Sequence, residues 1–369
     1  MKPAILKMLP HEDIAWERLI SAMSEANRAV ARYDGVLYGI PNPGVLLSPL
    51  TTQEAVLSSR IEGTRTTLDE VLMFEAGEQV VEGQREDIRE VLNYRRGLRE
   101  AERAISDRPF NINLLLKLHS ILLDEDRGRY RGRGRFRTVQ NFIGPPGAGI
   151  EEAFYVPPEP GRVAEYMNNW ENYYHAQERD RLIQLAVIHA HFEMIHPFVD
   201  GNGRIGRMII PLFLCEKNLL SRPTFYISAY LEARREQYYA LLRALDGPES
   251  WNNWIEFFLR AVAEQALENT DKALGILALY ERLKDQVREL TRSQYAVPLL
   301  DNLFRQPIFA PKQLLEVQNM PSKPTVMNLL GKLKEAGVLH TLREPSGRRP
   351  QILALAELIN LCEGKEVFS

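Results

Sequence analysis

Apolar positions recur along most of the chain at the three-to-four-residue interval of a helix that buries one face. Residues 11–34 follow this pattern, as do 85–106, 111–124, 161–176 and 180–195. The run 35–50 holds Pro41, Pro43, Gly44 and Pro49 and reads as a loop. Thr51 or Thr52 stands where a cap is expected, ahead of a helix through Glu54, Leu57, Ser58 and Ile61 that ends near Gly63. The spacing resumes through Leu68, Val71, Leu72 and Phe74. Between 127 and 161 the pattern changes: Gly128, Gly132, Gly134, Gly144, Gly147, Gly149, Pro145, Pro146, Pro157 and Pro158 surround two β-favouring pieces, 136–143 and 154–156. This predicts a hairpin excursion from a helical body. A Gly-rich turn at 200–203 leads into a helix from about Arg204. Past 290, stretches 312–318 and 323–336 read as helices and 348–355 as a strand, with a turn at Pro345-Ser346-Gly347. The fold class is therefore mainly α.

Length adds domains to this picture. A single core stops growing at roughly 250–300 residues, and the chain has 369. A boundary near 293 separates a small C-terminal domain from the helical body. The net charge is −3, so no whole-chain basic field draws in nucleic acid or anionic membrane. Only Cys215 and Cys362 occur, both in apolar helical contexts, which disfavours a disulfide framework or a cysteine-ligated zinc and fits a reducing cytoplasm. No apolar run approaches the roughly 20 residues that cross a bilayer, and the first ten residues are too short in apolar content for a signal peptide. A soluble, cytoplasmic protein is expected.

The chemistry concentrates in residues 196–207, His-Pro-Phe-Val-Asp-Gly-Asn-Gly-Arg-Ile-Gly-Arg. His196 supplies an imidazole that can act as a base near neutral pH. Asp200 supplies a hard carboxylate suited to Mg²⁺. Gly201 and Gly203 let backbone N–H groups approach a phosphate. Arg204 and Arg207, three apart on the helix that opens here, are forked anion binders beside a helix N-terminus. Together these are the parts of a phosphate-transfer site for a nucleotide. Gly201 to Gly206 also matches GxGxxG, but the preceding segment 186–193 reads as helix, where a dinucleotide fold needs a strand. His189, Glu193 and His196 share a helical face and could hold zinc, though no further ligand is evident. His189 and His191 fit packing or hydrogen-bonding roles.

HPFVDGNGRIGR resembles the signature of the Fic family, HPFx[DE]GNGRxxR, at every fixed position, and residues 135–144 resemble the family's flap. The resemblance implies a helical Fic core over 100–263 with a β-hairpin flap. It further implies an N-terminal helical extension over 1–99; separately, a helical linker over 264–292 leads to a domain over 293–369 in which 312–317, 322–337 and 338–342 resemble a winged helix. The Fic resemblance implies a Mg²⁺- and ATP-dependent enzyme that moves AMP to a hydroxyl of a target protein, itself included. His196 would be the general base and Asp200 the Mg²⁺ ligand. Gly201, Asn202, Gly203, Arg204, Ile205 and Gly206 would line the phosphates, and Arg207 would grip the γ-phosphate. Arg137, Gln140, Ile143 and Gly144 would belong to the flap, which pairs with an extended target segment. Tyr238 and Tyr239 match a tyrosine pair on the adenine side; Asp246 stands where some members have asparagine. Ser58-Ser59-Arg60-Ile61-Glu62-Gly63 matches the family's inhibitory motif, [S/T]xxxE[G/N]. Glu62 would then hold Arg207 in a forked ion pair and compete with ATP for it.

Two basic stretches leave other partners open. Arg127, Arg129, Arg131, Arg133, Arg135 and Arg137 alternate through glycines, as in some RNA-binding segments, but lead into the flap-like sequence. Lys312, Lys323, Lys332, Lys334, Arg343, Arg348 and Arg349 outnumber the acids of 311–350, so the winged-helix-like domain could engage DNA or protein. Removal of AMP, transfer of another phosphate-containing group, a DNA-bound regulator and a homodimer stand as alternatives.

Overall fold

The computed structural model describes residues 2–11, 13–123, 132–145, 147, 149–347 and 349–368. In chain order the helices are α1 (Trp16–Gly39), α2 (Pro43–Leu46), α3 (Ser48–Ile61), α4 (Leu68–Glu75), α5 (Glu82–Asp107) and α6 (Ile112–Leu122). These are followed by α7 (Val163–His175), α8 (Arg181–Ile195), α9 (Asn202–Glu216), α10 (Ser228–Ala233), α11 (Arg235–Arg243) and the long α12 (Pro248–Thr291). The C-terminal part holds α13 (Ala296–Arg305), β1 (Ile308–Phe309), α14 (Pro311–Leu314), α15 (Lys323–Glu335), β2 (His340–Arg343), β3 (Ile352–Ala354) and α16 (Ala356–Glu363). No helix among the described residues is long and apolar enough to cross a membrane.

The chain forms two compact units that are discontinuous in sequence. The first comprises 1–34, 57–63 and 93–267; the second comprises 35–56, 64–92 and 268–369. In the first unit α8 is the central element. Leu182, Ile183, Leu185, Val187, Ile188, Phe192 and Ile195 are all fully buried, so the helix is apolar all round, as a helix enclosed by others must be. Asp180 starts it by accepting hydrogen bonds from the Leu182 and Ile183 N–H groups at 2.9 Å. Helices α7 and α9 pack on either side of it. Trp170 and Trp254 close the packing, each donating its indole N–H to an α8 carbonyl, at Ile188 and Ala186.

In the second unit β1, β3 and β2 form an antiparallel sheet with β3 in the middle. Ile308 faces Ala354, and Thr341 faces Leu353. Ile352, Leu353 and Ala354 are fully buried, as befits a central strand. Ser346 and Arg349 bridge the turn between β2 and β3 at Gly347, whose φ is +56°.

Three local expectations are corrected. Residues 35–50 are mostly helical: α1 runs on to Gly39, and only a short break at 40–42 separates it from α2. Pro43 and Pro49 sit in first turns of helices, where a missing N–H costs nothing. Thr51 and Thr52 lie inside α3 rather than capping it, and their hydroxyls donate to the Leu47 and Ser48 carbonyls one turn back. The expected hairpin has a single bridge, Ile143 to Tyr155, and no paired strands among the described residues. Side-chain hydrogen bonds hold that segment instead. Arg127, Arg129, Arg131, Pro146 and Arg348 lie outside the described residues.

Candidate active site

The site is built on the connection from α8 to α9. His196 ends α8 in the left-handed conformation, with φ +47°, and its N–H still reaches the Phe192 carbonyl at 3.0 Å. A non-glycine residue there stores roughly 1–3 kcal/mol of backbone strain, so the surroundings must impose it. Arg137 does so. Its Nε donates to the His196 carbonyl at 2.9 Å and its Nη2 to the Pro158 carbonyl at 2.5 Å, while its backbone N–H meets the Pro197 carbonyl at 2.9 Å. Asn202 pins the other side, accepting from the Phe198 N–H at 2.8 Å and donating to the Phe198 carbonyl at 2.9 Å. Asn141 adds a bond to the same carbonyl. Gly201, with φ +81°, then turns the chain into α9.

His119 was not singled out in the sequence, yet it sits under this loop. Its Nδ1 accepts from the Gly134 N–H at 2.9 Å, so Nε2 carries the proton and donates to the Asp200 carbonyl at 3.0 Å. The ring stacks on Phe198 with centroids 3.8 Å apart. Burial pushes this imidazole down to about 3, with Arg204 contributing, which keeps it neutral in that tautomer. The only sequence signal was a histidine on an otherwise apolar helical face.

Burial likewise pushes the His196 imidazole down to about 4, against the opposing pull of the Glu193 carbonyl and the Glu62 charge. It is therefore neutral at neutral pH. Nδ1 faces the Glu193 carbonyl at 3.3 Å and so carries the hydrogen, which leaves the Nε2 lone pair to accept a proton. Asp200 pairs with Arg204 at 3.2 Å and keeps a quarter of its side chain exposed.

Arg207 is fully enclosed, and α3 supplies its partners. Its Nε donates to the Ser58 hydroxyl at 2.9 Å; Nη2 donates to the Ser58 carbonyl at 2.8 Å and to Glu62 Oε1 at 2.6 Å. Burial works against the Glu62 carboxylate, but Arg207 first, then Arg204 and His196, hold it below its ordinary range. The carboxylate also rests on the first turn of α9, since a methyl group on Gly203 would lie 2.2 Å from Glu62 Oε1. Glu62 thus occupies an anion position at a helix N-terminus. Tyr239 fastens the end of α3 by donating to the Ile61 carbonyl at 3.3 Å.

The structure brings together His196, Asp200 to Arg207, Ser58 and Glu62, with Tyr239 at the rim. Ile205 is buried in the core face of α9. Tyr238 lies beneath the site, 1% exposed and packed on Tyr239, its hydroxyl donating to His189 Nε2 at 2.9 Å while His189 Nδ1 donates to the Gly206 carbonyl. Gln140 bonds the Asn141 and Pro157 carbonyls. Ile143 pairs with Tyr155, and Gly144 packs against Ala153.

Comparison with known proteins places this arrangement. Residues 20–103 match the Fic/DOC family N-terminal model and residues 109–214 the Fic/DOC family model. Together these take in about half of the chain, which belongs to the Fic/DOC family. A probable protein adenylyltransferase of Aquifex aeolicus is 23% identical over 78% of this chain and 82% of its own length. A protein adenylyltransferase Fic of Nematostella vectensis is 28% identical over 63% of this chain, and the match spans 51% of that relative. One from Drosophila grimshawi is 29% identical over 36% of this chain and is matched over only 24% of its length. Among solved structures, a Fic family protein from Desulfovibrio desulfuricans G20 superposes with a TM-score of 0.56 at 22% identity, over 96% of this chain and 98% of that one. Fic-1 from C. elegans (residues 134–508) gives 0.55 at 20% identity, over 71% and 75%.

Proposed function

We propose that the chain transfers AMP from ATP to a hydroxyl group of a target protein, itself included, and that Glu62 restrains the reaction. The observation that carries this reading is the co-location of a neutral imidazole at His196, an amide-rich helix start at 201–204 and the enclosed guanidinium of Arg207. In the reaction, His196 Nε2 takes the proton from the acceptor hydroxyl. The freed oxygen attacks the α-phosphorus, the bond from that phosphorus to the β-phosphate bridge breaks, and pyrophosphate leaves. The N–H groups of the first turn of α9 and the Arg204 guanidinium stabilise the charge that develops on the phosphates. Arg207 binds the terminal phosphate. The segment 137–143, held beside His196 by Arg137, receives an extended stretch of the target through main-chain pairing.

Among the described residues no group of three metal-ligating side chains occurs. Mg²⁺ needs none, because one carboxylate with substrate phosphates and water suffices, and Asp200 offers a partly exposed carboxylate next to the phosphate-binding turn. When bound there, the ion offsets phosphate charge. Names of relatives as protein adenylyltransferases support AMP as the transferred group.

With Glu62 on Arg207 and against Gly203, a nucleotide must displace a carboxylate from two of its own contacts. The test is auto-modification with labelled ATP, GTP, CTP and UTP, read by mass spectrometry. Glu62→Gly is expected to modify itself with AMP at least tenfold faster than the native chain, given about 1.5–3 kcal/mol for a charged hydrogen bond. Adding His196→Ala should remove about 10²–10⁴ of that rate, and adding Arg207→Ala should abolish the activation. No nucleotidyl adduct from any donor in Glu62→Gly would defeat the reading.

A further inference from the structure

Glu193 is a half-buried acid that the mechanism above leaves unused. It lies on α8, one turn before His196. Its backbone carbonyl serves the imidazole, while its side chain runs elsewhere. Oε1 is buried without a hydrogen-bond partner. A methyl group on Gly206 would lie 2.1 Å from that oxygen, so the carboxyl rests against the backbone of α9 one residue before Arg207. The ionisable groups that face it are Arg207 from α9, Glu62 from the end of α3 and Tyr238 from α11.

These neighbours make the charge of Glu193 conditional. Burial pushes its carboxyl up to about 8; Arg207 opposes the shift and Glu62 adds to it. While Glu62 holds Arg207, a second carboxylate is redundant and repelled. If Glu62 withdraws and nothing replaces it, the guanidinium is enclosed with no anion beside it except this one. An unpaired buried charge is costly, and loss of a proton from Glu193 offsets it.

We propose that Glu193 is a positioning residue that acts through Arg207 as a proton-linked counter-charge. It is protonated while Glu62 or a nucleotide phosphate holds the guanidinium and ionised when neither does. The inference rests on the reading of Arg207 as the partner of the terminal phosphate. Binding of a nucleotide to the uninhibited site then converts carboxylate to carboxylic acid with a proton taken from the buffer. Because binding takes up a proton, affinity falls as pH rises through the interval between the free and bound pKa of the group. The unpartnered oxygen is what lets the carboxyl change state without breaking a hydrogen bond of its own.

The experiment compares Glu62→Gly with Glu62→Gly/Glu193→Gln, titrating each with Mg²⁺ and ATP in a calorimeter. Buffers of differing ionisation enthalpy report the protons taken up, between about pH 6 and pH 9. Titration of ATP itself is common to both proteins and cancels in the difference. The single variant is expected to take up additional protons, and its Kd to rise by up to about tenfold per pH unit within the sensitive interval. The double variant should lose both effects while still binding. Glu193→Met offers a second neutral side chain should the glutamine variant fold poorly. In the native chain, an infrared band of a protonated carboxyl at neutral pH, absent from Glu193→Gln, is the matching signature. Equal proton uptake and equal slopes in the two proteins would overturn the role of Glu193 alone. Failure of both to bind ATP at any pH would overturn the nucleotide reading of the site and this inference with it.

Discussion

Gly203 has no side chain, and the Glu62 carboxylate uses that space. A methyl group there would meet Glu62 Oε1 at 2.2 Å and Arg207 Nη1 at 2.9 Å. Gly203→Ala is therefore expected to loosen the ion pair without activating the chain, because the same methyl crowds the position a phosphate would take. Auto-modification at or below the native rate, with an Arg207-dependent gain in protease sensitivity near residue 62, would bear this out; activation equal to Glu62→Gly would refute it. The pair also sets a pH dependence. Glu62 is held below the ordinary carboxylate value of 4.5 in the folded chain. Its contribution is thus present above that value and is lost as pH falls through the lowered one. The melting-temperature gap between the native chain and Glu62→Gln should hold at neutral pH and close in acid below about pH 4.5. A gap that is unchanged down to the acid limit of folding would mean that the ion pair carries no stability.

The unit of function at the next scale is the α8–loop–α9 element, and its shape comes from residues outside it. Arg137, Asn141 and His119 reach in from the preceding segments to hold the His196, Phe198 and Asp200 carbonyls, respectively. His119→Phe keeps the stack on Phe198 and removes both polar contacts. It should cost about 1–3 kcal/mol of stability, since Gly134 N–H and the Asp200 carbonyl lose partners. It should also lower kcat more than it changes acceptor binding, because the loop that carries Asp200 is freed. Native kcat in a stable His119→Phe protein would remove His119 from the positioning network. Helix positions were legible because a half-buried helix must repeat every three to four residues. The segment 35–50 misled because proline in a first helical turn looks, in sequence, like proline in a loop. The hairpin expected over 136–156 is reduced among the described residues to one antiparallel bridge between Ile143 and Tyr155, and side-chain bonds from Arg137, Gln140 and Asn141 hold the rest of the extended backbone.

For the whole molecule, the first half of α12 closes the packing of the unit that holds the site. Trp254 near its start is fully buried, against His189, Tyr238 and Phe258, and donates to the Ala186 carbonyl of α8. Trp254→Ala should cost about 3–5 kcal/mol and disturb the floor of the site through His189; an unchanged unfolding midpoint in denaturant would show that α12 does not brace α8. The sequence by itself determined the helical class and the one C-terminal strand near 352–354, and it marked residues 196–207 as the candidate chemistry, while β1 at Ile308–Phe309 escaped it. It could do so because helix periodicity and a short contiguous motif are local properties. It also proposed Glu62 as a partner for Arg207, on resemblance alone. Tertiary structure decided that Glu62 rests on Gly203, that Tyr238 bonds His189, that His119 and Arg137 hold the loop, and that Glu193 Oε1 lies buried without a partner against Gly206. Those contacts join residues between about ten and 150 positions apart, and their chemistry depends on burial. Neither distance nor burial is written in the local pattern of a chain.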